Sequence, residues 1–194
     1  MGNKTSLRRF LAVKIAVLAL FLAVQTGVPI AFAAQTATSL AMDQAVENPG
    51  LLPTNPFYFL KSFRRTTQRA FTVSPVKLAN LELDILSQKA GELKRLQEVL
   101  DGADESLKSA TVPYRESIDR LHSNLQNIKS SDKSQAVDQL LSRILESSIK
   151  HMTLFDELSS LSDSGMRDRL ESLDARLSEV TADVLTRLDS PDRL

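Results

Sequence analysis

Three groups of residues in this chain have types and spacings that chemistry can use. In the first, Phe57, Tyr58, Phe59, Phe63 and Phe71 are interleaved with Lys61, Arg64, Arg65 and Arg69. With Lys77 included, residues 48–81 hold five cations and no acid. An amphipathic cationic helix of this kind can meet anionic lipid headgroups or an acidic wall polymer. The plainer alternative is a short helix whose Phe side chains close one end of a helical core. Lys61, Arg64, Arg65, Arg69, Phe57 and Tyr58 are the candidate contact surface.

The second group is His151 with Asp156 and Glu157. Ligands on one helical face need spacings of three or four, and these stand at five and six, so the sequence predicts an ordinary half-buried or surface histidine. The third is Asp101-Gly102-Ala103-Asp104-Glu105. A calcium loop needs an oxygen ligand at its third position, Gly at its sixth and Glu at its twelfth; counted from Asp101 the chain has Ala103, Ser106 and Val112. The segment reads as a capping turn, Gly102 ending one helix and Asp104 opening the next.

The remaining inventory is poor in catalytic groups. The chain has 194 residues, no Cys, no Trp and two His, which excludes thiolate metal sites, a Cys nucleophile and a disulfide scaffold. It has no G-x-S-x-G, phosphate loop, H-E-x-x-H or dinucleotide fingerprint. No catalytic, cofactor-binding or metal-ligating residue is assigned, no cofactor is expected, and the chain reads as a non-enzyme. Pairs such as Glu92–Arg95 and Arg167–Glu171 read as solvated faces.

The elements that must position these residues begin after an export signal. Lys4, Arg8, Arg9 and Lys14 precede the apolar run from Ile15 to Val24, Gly27 and Pro29 break it, and Ala31-Phe32-Ala33 follows. That order predicts a signal peptide over 1–33 cleaved after Ala33; the alternative is an anchor through residues 10–34. Residues 34–50 read as a flexible tether and 51–190 as a helical domain. The whole chain has 24 basic and 24 acidic residues, and the part beyond 33 is mildly acidic, which argues against a nucleic-acid partner.

Asn55 and Pro56 predict a short helix over about 56–70, with Phe57, Leu60, Phe63 and Ala70 or Phe71 inward and the cations largely on the other side. Ser74-Pro75 opens a long helix to about Leu100. Apolar residues at threes and fours predict three more: about 104–129, kinked or delayed to about 112 by Pro113; about 134–160; and one ending near Leu188 whose stripe from Met166 is close to a coiled-coil seam. The fold class is all-α, an antiparallel bundle of about four long helices plus a short N-terminal aromatic helix. Short loops are expected to make sequential helices neighbours.

Residues 52–61 read L-P-T-N-P-F-Y-F-L-K, followed by an aromatic at Phe71 and Pro75 opening a long helix. This resembles an uncharacterised family of exported bacterial proteins, a domain of unknown function, with an L-P-x-x-P-F-Y-x-L-K signature and a K-A-x-L-x-L-type run. The order Lys77-Leu78-Ala79 departs from that run. The resemblance covers Leu52–Lys61 and Phe71–Leu83, and more loosely the helices to about 160. It implies an extracytoplasmic helical domain near the cell envelope and no particular chemistry.

Together these features predict an exported protein (periplasmic, extracellular or at the cell surface) that acts as a non-enzymatic binding or structural module. Its expected partner is a membrane surface, a cell-wall polymer or another envelope protein. The alternative is an envelope sensor or enzyme with a ligand between helices. Oligomeric state is left open.

Overall fold

Pro75 has no N–H to lose in a first helical turn and its ring pre-sets the helical φ, so Ser74 becomes the extended N-cap of a helix over Pro75–Val99. In the computed structural model, which describes residues 50–100, 105–132 and 134–189, five helices follow one another. They are α1 (Tyr58–Phe71), α2 (Pro75–Val99), α3 (Glu105–Gln126), α4 (Gln135–Ser160) and α5 (Ser164–Leu188). No strand occurs among the described residues. The expected signal peptide and its cleavage point, the tether up to residue 49 and the turn at 101–104 lie outside them.

Two helix starts differ from expectation. Asn55 does not cap α1: its side chain accepts from the Phe57 N–H at 2.9 Å, forming a turn, and the helix opens two residues later than predicted, at Tyr58. Such a local side-chain bond competes with capping in the manner usual for Asn. Nor does Pro113 delay α3, which runs through it from Glu105. The missing Pro113 N–H leaves one carbonyl of the preceding turn without its helical donor. The Pro113 carbonyl itself accepts from Lys89 Nζ of α2 and, at 3.2 Å, from Ser117 Oγ.

One apolar core runs through α2 to α5, with Leu83, Leu86, Leu93, Tyr114, Ile118, Leu121, Leu140, Ile144, Phe155, Leu170, Leu177 and Val180 among its members. The seam from Met166 to Val184 is buried within the chain. Asp163 caps α5 by accepting from the Met166 N–H at 2.7 Å, and that bond, with Lys108 at 3.0 Å, holds its carboxyl below the usual range.

Two of the three expected sequential pairings of the long helices form, and the third, α3 with α4, does not. α2 and α3 form an antiparallel hairpin in which Lys89 lies against Pro113 and Glu82 against Arg120. α4 and α5 form a second, through the turn at 161–163. The hairpins dock in parallel. Asp84 of α2 pairs with Arg143 of α4 at 2.8 Å, and Arg115 and Asp119 of α3 each bond a residue of α5 placed 57 positions on. α3 and α4, although consecutive, face each other across the core, where Tyr114 reaches His151 and Phe155. A chain covers up to about 3.3 Å per residue, so residues 127–134 can cross the diagonal of helices spaced about 10 Å apart. A connection forces adjacency only when it is too short for that crossing.

Candidate functional site

α1 is mounted the opposite way round from its expected orientation. At 3.6 residues per turn Tyr58, Lys61, Arg65 and Arg69 share one face, and that face is turned towards α2. Arg65 is only 5% exposed. The apolar side chains expected inward are in solvent: Phe57 is 60% exposed, Leu60 52%, Phe63 70% and Phe71 83%. Phe59 and Arg64 are exposed as well.

The cause lies on α2. Glu82, Ile85, Lys89 and Glu92 recur at threes and fours, forming a second inward stripe beside the apolar one, and all four are buried. Glu92 is the hub. Its Oε1 takes Lys61 Nζ at 2.6 Å and an Arg65 N–H at 3.0 Å, while its Oε2 accepts from the Tyr58 hydroxyl at 2.8 Å. Arg65 also donates to Tyr58 and to Gln88. Glu92 is therefore no solvated partner of Arg95, which pairs with Glu98 instead. Glu82 receives two N–H groups of Arg69, and Arg120 of α3 approaches it at 3.7 Å.

A buried charge left without its partner costs about 3–5 kcal/mol. Seating the Phe face inward would strand Glu92 and leave Glu82 with Arg120 alone, so α1 turns its cations in. The exposed Phe rings forgo about 1.5–3 kcal/mol each, the gain that full burial would bring. That cost stays outstanding until something covers them.

Burial raises the Tyr58 hydroxyl to about 12, with the Glu92 charge adding to it. Burial likewise lowers Lys61, against the opposing pull of Glu92. Lys89 is pushed down to about 8, first by burial and then by the charges of Arg65 and Arg120.

Exchanging Glu92→Gln is expected to free α1 while leaving the bundle folded, because Arg65 can regain water by swinging out with its helix. The backbone amides of 58–71 should then exchange with solvent at near-unprotected rates, those of α2–α5 should not, and the Tyr58 phenol should titrate closer to 10. Unchanged exchange in α1 would show that the ion pairs do not hold it.

The second candidate, His151, is fully buried rather than half-exposed. Its Nδ1 lies 2.7 Å from the Tyr114 hydroxyl, a hydrogen bond in which the imidazole tautomer sets which group donates. Burial, with Lys150 beside it, depresses the imidazole to about 4. Burial also holds Tyr114 well above 10. Asp156 and Glu157 point away into solvent. No group of three or more His, Asp or Glu able to hold a metal occurs among the described residues. An open groove of about 460 Å³ between α2 and α4, lined by Asp84, Gln88, Arg143, Glu146 and Lys150, is polar, crossed by the Asp84–Arg143 pair and flanked by the Glu146–Lys150 pair within α4.

Of the six residues singled out from the sequence, Tyr58, Lys61, Arg65 and Arg69 form the clasp onto α2, and Phe57 and Arg64 are exposed. Sequence reasoning missed Glu82, Lys89 and Glu92. Their three- and four-residue spacing was visible in the chain, but charged residues at such positions usually mark a solvated face. It also missed the outward Phe59, Leu60 and Phe63.

No curated protein and no solved structure matches the chain. A family model does match over residues 50–158, which takes in α1, α2, α3 and most of α4 and leaves out α5. On that match, which spans more than half its length, the chain belongs to the family described as a domain of unknown function, DUF5667.

Proposed function

We propose that this chain is an exported, envelope-associated module of four long helices and one aromatic helix that works by binding rather than by catalysis. Its residues 1–33 serve as a signal peptide cleaved after Ala33, and 34–50 tether the domain. The observation that carries the proposal is the concentration of exposed apolar side chains: of the ten large ones among the described residues, seven fall between Leu51 and Val73. A monomer rarely keeps such a patch uncovered unless it is a contact site. The clasp to Glu82 and Glu92 presents it on a fixed mount, which lowers the ordering cost of binding.

The alternative, a sensor or enzyme with a ligand between helices, finds its nearest foothold at Tyr114 and His151. Those two groups satisfy each other, which suits a core.

The test is fractionation of the native host, with intact-mass measurement and affinity capture of the full chain beside a Phe59→Ser/Phe63→Ser variant. The proposal expects a mature mass beginning at Ala34, recovery with the envelope, and loss of that association in the variant. Recovery in the cytoplasm with residues 1–33 intact, or equal capture by parent and variant, would overturn it.

A further inference from the structure

Taking α1 as the contact face, we propose that its outward side seats in the headgroup layer of an anionic lipid bilayer. Phe59, Leu60, Phe63 and Phe71 all lie on the side of α1 opposite Arg65 and are exposed. A helix of 14 residues is about 21 Å long. No described helix is long and apolar enough to cross a membrane, so α1 would lie along the surface rather than span it.

Charge chooses the occupant. Arg64 and Lys77 are the exposed cations on and beside this face, and no Asp or Glu occurs from 48 to 81. Residues 82–194, by contrast, contain 22 acidic and 15 basic groups. An anionic surface therefore attracts the α1 end and repels the rest, which turns the Phe rings towards the lipid. A second copy fits poorly. A two-fold pairing through this face would bring Arg64 and Lys77 against their own kind with no carboxylate to answer them.

The missing tryptophan supplies a clean reporter. In the full chain, Phe63→Trp places a single indole on the proposed face, and Leu161→Trp places one at the exposed α4–α5 turn. With phosphatidylglycerol vesicles the first should shift its emission to shorter wavelength and be quenched by brominated acyl chains, while the second should do neither. Adding Phe59→Ser and Leu60→Ser to the Phe63→Trp chain should weaken this response by about 30-fold or more. Phosphatidylcholine should bind more weakly, by roughly 5-fold per exposed cation. All these positions are solvent-exposed, so circular dichroism of the variants should match the parent.

No response at Phe63→Trp, equal responses at both reporters, or equal affinity for the two lipids would overturn the assignment. So would self-association without lipid that the Phe59→Ser exchange abolishes, since the occupant would then be a second copy. Capture of an envelope protein through α1 with no vesicle response would end the lipid assignment while leaving the binding-module proposal standing.

Discussion

A chain ended after Ser160 is expected not to fold, even though all of the residues that match the family would remain. α5 places Met166, Leu170, Leu173, Leu177, Val180 and Val184 in the shared core, all buried. At about 1.5–3 kcal/mol for each buried side chain, their loss removes roughly 10 kcal/mol or more. The total stability of a domain this size is about 5–15 kcal/mol. Thermal melts followed by circular dichroism should show a cooperative transition for the full chain and none for the shortened one. A shortened chain that melts cooperatively would make α5 an accessory rather than a wall of the core.

The second large effect is on stability against pH. His151 takes up a proton near 6.5 when unfolded and only near 4 when folded. Between those values the unfolded chain binds more protons, so its contribution is complete above about pH 7, falls as pH drops through 6.5, and levels off below 4. Over the whole interval the loss amounts to about 3 kcal/mol, at about 1.4 kcal/mol per pH unit. Urea unfolding at pH 7.5, 5.5 and 4 should show this in the parent. A His151→Gln chain, whose side-chain amide can still hydrogen-bond to Tyr114 but does not titrate, should lack that share of the slope. Identical slopes would mean that His151 is not protonated on unfolding in this range.

Much of the helical pattern was legible, and the reason is local. Ser74-Pro75 and the apolar spacing of α3, α4 and α5 act within one or two turns, so boundaries such as Pro75 and Leu188 follow from the chain alone. What failed was non-local. The amphipathicity of α1 is strong, but amphipathicity says only that two faces differ. Which face goes in was decided by Glu82 and Glu92 on another helix. The spacing of α2 carried the hint, since residues 82, 85, 89 and 92 make a second stripe that a helix buried on two sides requires. The crossing from α3 to α4 was hidden for a similar reason: loop length limits how far a chain can reach and does not say where it goes.

The parallel docking of the two hairpins bears on the order in which the molecule assembles. Within α2–α3 and within α4–α5 the chain doubles straight back on itself, whereas the lateral pairs that join the hairpins, α2 to α4 and α3 to α5, span nearly sixty residues. Local hairpins close sooner than distant surfaces meet. The first hairpin must therefore wait, its apolar side uncovered, until the second has been delivered and closed. During that interval the same side can accept the second hairpin of a neighbouring molecule, because residues 127–134 reach either way. Crowded refolding should accordingly yield exchanged dimers built from native contacts, and dilution before refolding should suppress them.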